Sequence, residues 1–250
     1  MSVPHGLLFV HGSHTGAWLW QAMVEACRSY GLAAGAVDLA GYGVNSKVAP
    51  SLMANADIVA DALDACAGPT MLVGHSMGGV VITQAACRAS RRPSRLVYLA
   101  AFVPNDGDSL ATCAGGDRES FVPRHRRLSS DGTYAILPRE VIPEIFFDRP
   151  DDPASHRWAD RFGPDPVAGG GDPCRLDAES LDAIPATYIE CRHSRAVSLG
   201  YQREMRQRRR FDSVRSLETG HLPMLEAPDE LAGVLAELAG VASASAHDRN

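Results

Sequence analysis

The sequence predicts an α/β protein built on a six-stranded, mostly parallel sheet with helices on both faces and an inserted helical cap. Short β-branched or aliphatic runs alternate with segments of helical apolar spacing, the pattern of a parallel sheet covered on both sides. Glycine-rich turns join strands to helices at two points, HGSHTG and GHSMGG. A chain of 250 residues with 45% apolar content is long enough to bury one large core. Strands are expected at 7–10, 32–38, 70–73, 95–101, 187–190 and 213–217. Between them, 17–30, 52–65, 77–89, 198–207 and 229–239 carry helical spacing, the last opened by Pro228, which suits a first helical turn.

The alternation fails between the fourth and fifth strands, where 102–184 is rich in Pro, Gly, Arg and Asp and offers two short helices, at 141–147 and 153–162. A connection that long carries its own structure or a function. The expected organisation is a core of 1–101 and 185–241, a cap of 102–184 laid over the strand ends, and a frayed tail at 242–250 with too little apolar content to pack.

A net charge of -6 argues against a nucleic-acid partner or an anionic membrane surface, both of which require a basic face. The expected partner is a small-molecule substrate, with a homodimer left open. The arginine-rich stretch 202–210 reads as a solvated helix end. Six widely separated cysteines lack the spacing of a metal or redox site and read as small buried hydrophobes. No basic segment precedes a long apolar run at the N-terminus, and no run approaches a membrane span, so a cytoplasmic protein is expected.

Chemistry concentrates at MLVGHSMGG, where Gly74-His75-Ser76-Met77-Gly78 lies between a buried strand and an apolar helix. This is the G-x-S-x-G nucleophile elbow in the context it requires: a turn so tight that small residues flank the serine and its Oγ stands clear of the backbone. The Met77 amide, at the helix start, points where negative charge would develop. Serine is a weak nucleophile at neutral pH and needs a base. Of nine histidines, His221 lies in the loop after the last strand, just before the final helix, where the order nucleophile, acid, histidine places the base. The loop after the first strand supplies the Ser13 amide as second oxyanion donor.

HGSHTGAW, DLAGYG, GHSMGG, LAAFVP, YIEC and GHLPMLEAP together resemble the plant methylesterase and hydroxynitrile lyase group of α/β hydrolases, with its bacterial relatives, over about 5–104 and 185–240. The resemblance implies the α/β-hydrolase fold, a Ser-His-Asp triad, a helical cap over an apolar pocket, no cofactor or metal, and small esters or cyanohydrins as substrates. Cyanohydrin lyases of this kind resemble one another in a Lys after the catalytic His and a Thr in the oxyanion loop. Leu222 and Gly12 stand there instead, which favours the esterase branch. Gly12, His14, Phe102, Phe146, Trp158 and Leu222 are expected around the pocket.

In the family's register YIECRHSRAV places Ser194 where the triad Asp belongs. A triad acid fixes the imidazole tautomer and stabilises the imidazolium; changing it in proteases costs on the order of 10⁴ in kcat. Three readings follow. Another carboxylate substitutes, from Asp106, Asp108 or Glu218. A Ser76-His221 dyad oriented by Ser194 acts on an activated ester, thioester or lactone. Or the pocket serves non-hydrolytic work, as a carbon-carbon lyase, a cyclase or a ligand binder with an impaired triad.

Overall fold

The computed structural model describes residues 6–241 of the chain; the tail expected at 242–250 lies outside the described residues. The first half runs β1 (Gly6–Val10), α1 (Gln21–Ser29), β2 (Ala33–Val37), α2 (Leu52–Asp64), β3 (Thr70–His75), α3 (Gly78–Ala86) and β4 (Arg95–Leu99). Segment 102–184 follows with α4 (Leu110–Gly115), α5 (Val122–His125), β5 (Arg127–Leu128), β6 (Tyr134–Ile136), α6 (Ile142–Phe146), α7 (Pro153–Ala159), β7 (Asp165–Pro166) and α8 (Ala178–Asp182). The chain then returns with β8 (Ala186–Cys191), α9 (Leu199–Met205), β9 (Ser213–Leu217), α10 (Pro223–Glu226) and α11 (Pro228–Leu238).

Six strands form one sheet in the order β2-β1-β3-β4-β8-β9, and every pairing in it is parallel. Alternation along each strand divides the core in two. Leu7 and Phe9 pack with Met23 of α1 and Leu231 and Leu235 of α11, whereas Leu8 and Val10 pack with Val59 of α2 and Val80 and Ile82 of α3. Each such side chain sealed from water contributes about 1.5–3 kcal/mol. The two glycine-rich turns leave β1 and β3, neighbours at the place where the strand order reverses, and that is where an open parallel sheet forms its ligand crevice.

Segment 102–184 holds more structure than its sequence suggests. The two expected helices are α6 and α7, but α4, α5, α8 and a small antiparallel sheet in the order β5-β6-β7 accompany them. Strands of two or three residues are too short to show alternation. Helix α4 has a legible start: the Ser109 hydroxyl accepts from the Thr112 amide at 3.1 Å, and the Thr112 hydroxyl accepts from the Ser109 amide at 2.8 Å.

The arginine-rich stretch is not a solvated helix end. Arg209 donates to the Tyr98 hydroxyl at 3.0 Å and the Leu181 carbonyl at 3.1 Å, Arg208 to the Val103 carbonyl at 3.1 Å, and Arg206 to the buried Glu190 carboxylate at 2.7 Å. Long stems let these guanidinium groups reach inward and staple α8, β4 and β8 together.

Candidate active site

Ser76 sits between β3 and α3 at φ 55, a left-handed conformation for a non-glycine residue. Neighbouring glycines allow it. A Cβ on Gly74 would lie 2.5 Å from the Gly78 carbonyl oxygen, one on Gly78 2.6 Å from the Val10 oxygen, and one on Gly79 2.3 Å from the Phe102 oxygen. Gly12, in the loop after β1, would place a Cβ 2.8 Å from that of Ser76, so only glycine lets that loop approach the serine. Among the described residues three non-glycines have positive φ, His14, Ser76 and Ala100, and each follows the carboxyl end of a central strand. Strain gathers where the loops converge.

The Ser13 hydroxyl lies 3.5 Å from the Met77 sulfur, which brings the two turns into contact. Among the described residues neither the Ser13 nor the Met77 backbone N–H donates to another protein group, leaving both free for a bound oxygen.

His221 follows β9 and is fully buried. Its amide donates to the Phe146 carbonyl at 2.8 Å, and its carbonyl accepts from His75 Nε2 at 2.8 Å. The His75 ring, one residue before Ser76, lies against it with 4.4 Å between centroids. Gly220 is required beside it, because a Cβ there would meet the Asp148 amide at 2.5 Å. His221 Nδ1 pairs with Ser194 Oγ at 2.9 Å, while Nε2 is buried without a partner. Burial holds the imidazole well below its ordinary pKa, and the neighbouring His75 adds to the depression.

Ser194 reaches His221 because the chain after β8 stays beside the chain after β9: the Arg192 amide donates to the Leu217 carbonyl and the His193 amide to the Thr219 carbonyl, each at 3.0 Å. The Ser194 hydroxyl also accepts from the Val197 amide at 3.2 Å. Fully buried Gln202 of α9 secures the loop, accepting from the Cys191 amide at 3.1 Å and donating to the Cys191 and Val197 carbonyls at 3.0 and 2.9 Å. His193 turns outward, with Nδ1 2.7 Å from the Asp148 carboxylate.

The alternative carboxylates have other partners. Asp106 accepts from the Leu176 amide at 2.8 Å; Asp108 accepts from the Asn105 amide at 2.8 Å and lies 3.6 Å from Arg208; Glu218 pairs with Arg192 at 2.8 Å and His193 at 3.2 Å. None bonds the imidazole, whose one side-chain partner is a hydroxyl. Asp106, Asp108 and Glu218, the candidate replacement acids, are each drawn toward their own amide or cation.

Of the expected pocket residues, Phe146 meets the His221 ring at 5.7 Å between centroids, and the Phe102 amide supports the elbow by donating to the Ser76 carbonyl at 3.1 Å. Leu222 is sealed in the core, and Trp158 stacks on Trp18 at 6.1 Å instead of facing the imidazole. An apolar cavity of about 30 Å³ opens beside Met77, walled by Tyr42, Val80, Val81, Leu110 and Pro166 among others. Tyr42, Asp165 and Gln202 gave no signal in sequence, since each acts through a tertiary hydrogen bond. Among the described residues no group of three or more His, Cys, Asp or Glu is placed to hold a metal.

A family model described as the alpha/beta hydrolase family matches residues 7–234. The chain is similar to a pheophorbidase of Raphanus sativus, at 34% identity over 124 residues and 44% of each chain, so that match spans under half of the relative's length. It is also similar to methyl jasmonate esterase 1 of Vitis vinifera, at 25% identity over 92% of this chain and 95% of the other. In structure it resembles a pyrethroid hydrolase from Sphingobium faniae, with TM-score 0.77, 22% identity and coverage of 95% and 98%. With the family match running from the first strand into the last helix, the chain belongs to the alpha/beta hydrolase family.

Proposed function

We propose that this carboxylic ester hydrolase cleaves a small, activated ester, thioester or lactone through an acyl-Ser76 intermediate. Ser76 Oγ attacks the carbonyl carbon as its proton passes to His221 Nε2, and the oxyanion accepts from the Ser13 and Met77 amides. Collapse expels the leaving group, which takes the proton from His221. Water then attacks the acyl-serine by the same route and the acid departs. The observation that carries this reading is Ser76 held at φ 55 beside two uncommitted amides.

The imidazolium formed in each half-reaction gives its Nδ1–H to Ser194 Oγ, a neutral acceptor. A hydroxyl orients the ring but leaves its charge uncompensated, so turnover favours leaving groups that depart with little help from an acid. Segment 102–184 serves as the cap over the strand ends that carry Ser76 and His221. Esters are also what the name of the Vitis relative points to.

A panel of aryl esters, alkyl esters, thioesters and lactones tests the proposal. A pre-steady-state burst is expected with an acyl mass shift on Ser76, and both should vanish in Ser76→Ala. The bare hydroxyl at Nδ1 also favours a second reading, in which Ser76 and His221 shuttle protons for a carbon-carbon lyase or cyclase. Product formation without any acyl-serine would favour it. Ligand-induced stabilisation without turnover would instead indicate a binding protein.

A further inference from the structure

His14 follows the proposed oxyanion donor Ser13 and sits at φ 64, a left-handed conformation uncommon for a non-glycine residue. Three hydrogen bonds hold it there, all to one short piece of segment 102–184. Its amide donates to Asp165 Oδ1 at 2.9 Å, its carbonyl accepts from the Gly163 amide at 3.0 Å, and its ring Nδ1 donates to the Gly163 carbonyl at 3.0 Å. Asp165 is buried and takes the Tyr42 hydroxyl on the same oxygen. Nearby, Trp18 packs against Trp158 and Phe162, and the Arg161 guanidinium lies 4.3 Å above its ring. The loop after β1 is thus fastened to 158–165 by a polar and an aromatic contact set, and Pro166, next in sequence, walls the cavity beside Met77.

We infer that Asp165 is a positioning residue for ester cleavage: by gripping the His14 amide from the cap, it fixes the direction of the Ser13 N–H toward the oxyanion. The inference rests on the proposed function, in which that N–H stabilises the tetrahedral intermediate. An isolated β1 loop would relax out of the left-handed conformation at His14 and swing its neighbouring amide away. The oxyanion hole is then complete only while 158–165 is seated, which ties the chemistry to the position of the cap.

The experiment compares Asp165→Ala and Asp165→Asn with wild type, using 4-nitrophenyl acetate and counting active sites by fluorophosphonate titration. Deleting one oxyanion donor outright costs about 10²–10³ in kcat, and a donor set loose costs less. The expected kcat per titrated site falls about 10- to 100-fold in Asp165→Ala, with KM within about threefold. Asp165→Asn keeps the shape and one acceptor and should fall between Ala and wild type. An unchanged kcat per site in the folded variants, even with a lowered Tm, would assign Asp165 to stability alone and overturn the inference. If Asp165→Ala does not fold, Asp165→Asn decides: a lower kcat at constant KM supports the role, and no change overturns it. Wild-type turnover with acyl-Ser76 tests the underlying reading separately, so the two failures are distinguishable.

Discussion

A hydroxyl on Nδ1 of the proposed base, His221, is a different instrument from a carboxylate. A carboxylate only accepts, so it selects the tautomer that leaves Nε2 free to take a proton. The Ser194 hydroxyl accepts from Val197 and can also donate its own proton to Nδ1, so it serves both tautomers and neutralises neither charge state. Ser194→Asp should therefore raise aryl-ester kcat at least about tenfold, measured as initial rates at neutral pH. The same variant should move the pH profile. The base works when neutral, and burial keeps the wild-type imidazole neutral well below its ordinary pKa, so the acid limb of kcat/KM should lie well below pH 6.5. A carboxylate at 194 favours the imidazolium and should carry that limb upward. An acid limb that stays put would mean that His221 is not the titrating base.

At the scale of the element, the elbow is built from parts that tolerate no growth. Gly79→Ala places a methyl group 2.3 Å from the Phe102 carbonyl oxygen, inside fully packed backbone. Overpacking of that kind costs about 1–3 kcal/mol, so the urea midpoint should fall and fluorophosphonate labelling of Ser76 should slow in the folded fraction. The elbow was legible in sequence because its constraint is local: a strand, a serine between small residues and an apolar helix follow one another without a gap. His221 was legible by its place after the last strand. The grip of Gln202 on Cys191 and Val197, the Asp165 clasp on His14 and the inward reach of Arg208 and Arg209 were not, because a polar residue's partner far along the chain leaves no period or spacing to read. Segment 102–184 stayed obscure for a related reason, since turns of helix and strands a few residues long depend on what they pack against.

Across the whole molecule, three fully buried histidines share one protonation behaviour. His11, His75 and His221 are all lowered by burial, His75 to about 4. Unfolded, each takes a proton near pH 6.5; folded, each resists protonation to a lower pH. Stability is therefore full above the unfolded value and drains as pH falls from 6.5 toward about 4, the folded value of His75. In that window each such histidine contributes a slope of up to about 1.4 kcal/mol per pH unit. Urea denaturation at pH 7 and pH 5 should show a markedly lower midpoint at pH 5, and His75→Gln should flatten the difference; equal midpoints would mean the imidazoles are not neutral in the fold.

The seam where Trp18 lies parallel to Trp158, at 6.1 Å between rings and 12° between planes, gives the molecule an optical gauge of its own. Two indoles so placed share their excited states, while the third, Trp20, is sealed against Phe9 in the core. Any lifting of 158–165 would separate that chromophore pair and spare the other ring, so near-ultraviolet circular dichroism reads the seating of this stretch against the loop after β1 from native tryptophans, without any attached label.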